Sequence, residues 1–132
     1  MEDSGVVEKR RFNILREMQE FTKRNTQGRS GGILFYTGVV REERGVVKLS
    51  IETNKPATEE ALREIARRNK EKFRLHDVLI IQAEGDFRPG DVVALVALSG
   101  LGRREIFAAL KEVTDAARAL PTIVKRESYS KE

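Results

Sequence analysis

Apolar positions change their spacing several times along this 132-residue chain, and each change marks an element. Within residues 9–25, Ile14, Leu15, Met18 and Phe21 recur at helical spacing among Lys, Arg and Glu, which predicts a first helix. Residues 25–32 are polar and rich in Gly, a break. Ile33 to Val40 is apolar, β-branched and aromatic, and Val46 to Thr53 alternates Val47, Leu49 and Ile51 against Lys48, Ser50 and Glu52. Two strands follow from this, and the short charged turn Arg41–Gly45 between them predicts an antiparallel hairpin. A helix is expected from an N-cap at Thr58 to about Phe73, with Ala61, Leu62, Ile65, Ala66 and Phe73 inward. Val78 to Ala83 reads as a strand, and Phe87 to Asp91 as a turn with Pro then Gly. Val92 to Leu98 is nearly all apolar, as a central strand buried on both faces would be. A helix from Arg103 to about Ala119, stopped by Pro121, and a strand from Thr122 to Tyr129 complete the order α-β-β-α-β-β-α-β. That order predicts an α+β fold, a sandwich of helices on mostly antiparallel strands, over a single domain 1–132.

Composition narrows the chemistry. There is no Cys, so disulfides, thiolate metal sites and thiol nucleophiles are excluded. The single histidine, His76, argues against a His-based metal site or a Ser-His-Asp triad, and it is expected at the surface at the start of a strand, without a catalytic role. No apolar run approaches the roughly 20 residues of a membrane-spanning helix, and the first residues lack the apolar stretch of a signal peptide, so a cytoplasmic protein is expected. The net charge of +4 is compatible with nucleic acid, phosphorylated small molecules or carboxylates as partners, and selects none of them.

Three segments carry candidate chemistry. Ser99-Gly100-Leu101-Gly102-Arg103-Arg104 leaves a strand, turns through glycines and opens a helix. Free N–H groups at a helix start favour an anion, and two arginines in the first turn are repelled by the helix dipole unless an anion lies between them. The same residues also fit a plain turn with solvated arginines. Tyr36-Thr37-Gly38-Val39-Val40-Arg41 places Gly38 inside a strand, where a bulge is expected, and Arg41 at its end, as anion clamp or solvated shoulder. Pro121 to Glu127 carries Lys125 among Ile123 and Val124. Desolvation there would lower its pKa and make it a competent acid, base or nucleophile, whereas a lysine guarding an edge strand is the alternative.

Taken in order, these segments resemble the large, catalytic subunit of molybdopterin synthase, the MoaE-type family. Gly31 to Arg41 resembles its Gly-rich strand ending T-G-x-V-R, and Leu49-Ser50-Ile51-Glu52 its L-x-x-E segment. Gly85 to Asp91 resembles its G-x-x-x-P-G-D turn, Ser99 to Phe107 its S-x-H-R helix start, and Pro121 to Glu127 its P-x-W-K-[RK]-E strand. The resemblance spans residues 31–127, after an N-terminal helix and Gly-rich linker within 1–30, and implies a hammerhead-like α/β sandwich.

It also implies sulfur transfer. In that family a ubiquitin-like small subunit of the MoaD type, ending in a Gly-Gly thiocarboxylate, delivers two sulfurs in turn to cyclic pyranopterin monophosphate, forming the dithiolene of molybdopterin. The sulfur arrives on the partner, so the absence of Cys is no obstacle. By this resemblance Lys125, Arg103 and Arg41 are the expected catalytic residues, Lys125 as acid/base or holder of the acyl tail and the arginines as anion clamps. Arg104, Arg118, Tyr36 and Gly102 are the expected substrate-binding positions. No resident cofactor and no metal is implied. A homodimer within a heterotetramer is expected, with pockets that borrow residues from the neighbouring subunit.

The sequence departs from the family pattern at named places. Gly102 stands where the family has His, Arg118 is the nearest cation to a second family Lys, and Val124 replaces a Trp. A guanidinium cannot serve as base or amine nucleophile. A relative that binds the small protein without catalysis is therefore the alternative, and a basic nucleic-acid-binding domain a distant one.

Overall fold

The structure, a computed structural model, describes residues 4–130. Its strands are β1 (Gly5–Glu8), β2 (Gly32–Val39), β3 (Val46–Thr53), β4 (Asp77–Phe87), β5 (Val92–Gly100) and β6 (Ile123–Tyr129). Its α-helices are α1 (Ile14–Arg24), α2 (Lys55–Lys72) and α3 (Arg103–Arg118), with one 3-10 turn at Lys9–Arg11. The expected α+β architecture with mostly antiparallel strands is present.

One six-stranded sheet runs β2-β5-β4-β3-β6. The long strand β4 organises it. Its first half, Asp77 to Gln82, pairs antiparallel with β5. At Ile81 and Gln82 the opposite edge of β4 is taken by β1, in parallel. Its last three residues, Gly85 to Phe87, pair with β3 instead, and β3 carries β6 on its far side. Gly85 lies at φ +137°, a backbone state that side chains disfavour, at the point where β4 passes from one set of partners to the other. The sheet therefore forks, and the fork opens the cleft described below.

Three apolar clusters hold the layers. Val78, Ile80, Val96 and Leu98 face Leu62, Ile65 and Ala66 of α2 and Ile106, Ala109 and Val113 of α3. Leu79, Ile81, Leu95 and Ala97 cover the other face with Phe21 of α1. Val40, Ile51, Ala83, Phe87 and Val93 fill the fork. Strand β5 thus contributes to both main faces, as its unbroken apolar run predicts, and each fully buried Leu contributes about 1.5–3 kcal/mol.

Four local expectations are corrected. β2 and β3 do not form a hairpin, because Val40 donates to the Asp91 carbonyl (2.9 Å) and accepts from Gly90 (2.8 Å), which carries the chain across the β4–β5 turn to the far side of the sheet. Helix α1 starts at Ile14, since Asn13 caps it by accepting from Arg16 N–H at 3.1 Å. Helix α2 is capped by Asn54, whose Oδ1 accepts from Ala57 N–H, with Pro56 in the first turn. Thr58 is instead fully buried. Finally, residues 5–8, within the segment read as helix and linker, form a strand. Ser4 Oγ accepts from Ile80 N–H at 2.9 Å beside it. The predicted bulge is present as a register shift between Gly38 and Val39.

Candidate active site

A cleft of about 1000 Å³ opens at the fork, between the sheet and the C-terminal end of α3. Tyr36, Gly38 and Arg41 line it from β2 and the residues beyond, Gln82 from β4, Ala94 and Val96 from β5. Thr114 and Arg118 come from α3, and Ile123, Lys125 and Glu127 from β6. Four of the seven residues singled out from sequence, Tyr36, Arg41, Arg118 and Lys125, thus meet in one cavity.

Each is placed by local structure with a physical cause. Arg41 directly follows Val40, which is buried and pinned to the turn Phe87–Asp91. That turn is itself closed by Asp91, whose carboxylate accepts from Arg88 N–H at 2.9 Å, with Gly90 at φ +96°. The P-G-D motif therefore acts at a distance, by holding the strand end that presents Arg41. Arg118 is the last residue of α3, and only four residues separate it from β6. Those four form a tight reversal, with Leu120 N–H bonded to Ala117 O and Ile123 N–H to Leu120 O. Lys125 then follows two residues into β6, opposite Ile51.

The electrostatics are uneven. Lys125 has its pKa held below the ordinary 10.5, first by desolvation and second by the Arg118 guanidinium. Its residue surface is still exposed, as suits a side chain on the wall of an open cleft rather than in a core. Among the described residues no carboxylate forms an ion pair with it, although Glu43 and Glu127 line the same cavity. Arg41 is different, because its Nε lies 2.8 Å from Glu43 Oε2 in an exposed ion pair. β6 is also an edge of the sheet, so Lys125 is both an edge-strand lysine and a desolvated one.

Arg103, Arg104 and Gly102 do not line this cleft. They begin α3, and the 16 residues from Arg103 to Arg118 put the two ends of the helix about 22 Å apart. Both arginines are exposed. The N-cap Gly102 makes no side-chain cap, and Glu105 folds back over it, so that a Cβ at 102 would lie 2.5 Å from Glu105 Oε1. The first turn thus already holds a carboxylate of its own. The space in front of position 102 is taken by the end of the exposed Glu105 side chain, which would swing aside for a larger residue there.

His76 is half-buried, not a surface residue at large. Its Nδ1 lies 2.9 Å from Ser30 Oγ, which also contacts Ser99 Oγ, and its N–H donates to the Ser99 carbonyl at 2.8 Å. It ties the Gly-rich segment to the sheet, away from the cleft. Gln82 and Glu43 were missed as cleft residues. A lone Gln inside an apolar strand was the available signal for the first; nothing in the sequence marked the second. Among the described residues there is no cluster of His, Cys, Asp or Glu able to hold a metal ion, and no helix is long and apolar enough to cross a membrane.

A helix-flanked sheet that forks, with Arg41, Arg118 and Lys125 lining the cleft at the fork, defines the α+β class of this protein. The chain belongs to the MoaE family, whose sequence model, described as MoaE protein, matches residues 7–119. The molybdopterin synthase catalytic subunit of Cereibacter sphaeroides is 30% identical over 99 residues, covering 74% of this chain and 68% of that protein. That of Vibrio cholerae is 28% identical over 130 residues, covering 96% and 85%. Molybdopterin synthase from Staphylococcus aureus has the same fold, with a TM-score of 0.86 at 21% identity over 100% of this chain and 95% of that one. A protein–protein complex of subunits 1 and 2 of molybdopterin-converting factor from Helicobacter pylori contains a chain matching with a TM-score of 0.80 at 14% identity, covering 97% and 90%.

Proposed function

We infer that this chain is the large, catalytic subunit of a molybdopterin synthase, a sulfurtransferase acting with a thiocarboxylated small subunit on a pterin phosphate. The observation that carries the site assignment is the meeting of Lys125 with Arg118 in one cleft, with no ion pair from a carboxylate to the amine among the described residues. Two neighbouring cations in a partly desolvated site are stabilised by an anion, and both the thiocarboxylate tail and the substrate phosphate are anions.

Roles follow from charge and reach. Arg41 and Arg118 hold anionic groups, since a guanidinium stays charged and donates in a fork. Lys125 is the group that exchanges a proton or takes the acyl tail, because lowering its pKa raises the neutral fraction able to do either. Arg103 and Arg104 would reach a cleft only on a second copy of the chain, which is how the expected homodimer would complete the site. A small ubiquitin-like partner at each end of that dimer, in the cytoplasm, is the assembly proposed.

Reconstitution tests this reading. The full chain, a thiocarboxylated small subunit and the pterin precursor should yield molybdopterin. Tight partner binding without any product would instead favour the non-catalytic relative. That second reading draws on two observations, the guanidinium at 118 and the glycine at 102 closed over by Glu105.

A further inference from the structure

Gln82 is the one polar side chain in the apolar stretch Val78 to Ala83, on a strand with neighbours along both edges. It is also the last β4 residue paired with β5, opposite Ala94. Its Nε2 donates to the Ala83 carbonyl at 2.9 Å and to the Val93 carbonyl at 3.2 Å, just where the two strands part. Both partners are acceptors, so the amide has one sensible orientation: nitrogen toward the carbonyls, oxygen away from them. Its donors are thereby spent on the backbone. The oxygen accepts nothing from any described residue, and the side chain lines the cleft.

We propose that Gln82 is a specificity residue of this cleft, its Oε1 accepting a hydrogen bond from a ring N–H of the ligand while Arg41, Arg118 and Lys125 hold the ligand's anionic part. The assignment rests on the reading of the cleft as the substrate site. It restricts the ligand to one chemical class, an anionic heterocycle with an N–H edge. A plain anion gains only from the cations, and a neutral ring only from Gln82. The acidic residues of the cleft, Glu43 and Glu127, are charged acceptors that would repel the anion, whereas an amide oxygen reads a donor at no such cost.

Two probes separate the contributions in the full chain: pterin, a neutral ring with N–H donors, followed by its fluorescence, and inorganic pyrophosphate, followed by calorimetry. Gln82→Met keeps the length and removes the acceptor; it should weaken pterin binding about 10-fold, with pyrophosphate affinity held within about twofold. Gln82→Lys keeps N–H donors for the two carbonyls, removes the acceptor and adds a positive charge; it should weaken pterin binding about 10-fold while pyrophosphate binding is retained or tightened. Absence of pterin binding by the wild type, unchanged pterin affinity in a folded Gln82→Met, or equal loss of both probes overturns the proposal. Should Gln82→Met melt below the assay temperature, Gln82→Lys decides alone: pterin weakened with pyrophosphate retained or tightened supports the proposal, and any other pattern overturns it. Sulfur transfer by the wild type, alongside an unaltered pterin affinity in Gln82→Met, would remove this assignment and leave the proposed function standing. Failure of transfer alongside the expected split between probes would do the reverse.

Discussion

The Arg118 guanidinium stands close enough to the Lys125 amine, across the reversal between α3 and β6, to depress the lysine's proton affinity. Desolvation contributes more, and both act in the same direction. Replacing Arg118 by Gln should therefore move the Lys125 pKa upward toward 10.5, but not all the way, because the desolvation remains. Selective isotope labelling of the lysine amines, followed through a pH titration, measures this. A value at or below that of the wild type would refute the arrangement.

The same shift has a consequence for stability. A lysine whose folded pKa is lowered holds its proton less tightly folded than unfolded, so in the window between the depressed value and 10.5 stability rises with pH. Below that window the charged amine is a constant cost. Lys125→Met should accordingly be at least as stable as the wild type at neutral pH, with its advantage shrinking as the pH climbs toward 10.5. The gain should stay within about 1 kcal/mol, because the residue is solvent-accessible. Denaturation midpoints at several pH values give the sign.

Lys125→Ala should lower molybdopterin formation by about 100-fold or more, the usual size of a lost acid/base or nucleophilic group. Binding of the small subunit should be little changed, since the lysine is one cation among several. If conversion continues near the wild-type rate, the lysine has no chemical role.

Glu43 Oε2 lies 2.8 Å from Arg41 Nε and so competes with an anionic ligand for that guanidinium. Exposed ion pairs of this kind hold by about 0.2–1 kcal/mol, so Glu43→Gln should tighten binding of an anionic ligand by about two- to threefold. Arg41→Ala should weaken it, most clearly at low salt. Titration of pyrophosphate at two ionic strengths checks both directions, and an effect of Glu43→Gln that persists at high salt would argue against a charge mechanism.

The buried Thr58 hydroxyl bonds to Thr122 Oγ1 at 2.8 Å, joining the first turn of α2 to the residue before β6. Thr58→Val keeps the shape and leaves the Thr122 hydroxyl without that partner. A loss of about 1–2 kcal/mol is expected in chemical denaturation. Because Thr122 leads into the strand bearing Lys125, the variant should also slow conversion more than it weakens partner binding.

Legibility in the sequence followed the range of the forces involved. The apolar run Val92 to Leu98 announced a central strand because burial on both faces leaves no room for polar side chains. The α1 and α2 boundaries were misplaced by a few residues, since Asn13 and Asn54 compete as caps with other polar residues nearby. The β2–β3 hairpin was a reasonable expectation from chain proximity, and it failed on two backbone hydrogen bonds between Val40 and a turn some 50 residues away. Strand β1 is four residues long, too short for a period to show, and it is recruited by the free edge of β4.

Of the site, the sequence by itself determined the inventory: an Arg ending one strand, a Lys within another, an Arg at a helix end, no thiol, and the motif order that marks the family. Residue type and local period suffice for that, because they act over a few neighbours. Which of those cations share a cleft was decided by the tertiary structure alone. The fork of β4 and the tight reversal after α3 bring Arg41, Arg118 and Lys125 together, while the length of the same helix carries Arg103 away from them. Such a grouping depends on strand partners chosen across the whole chain, and no window of sequence contains that choice.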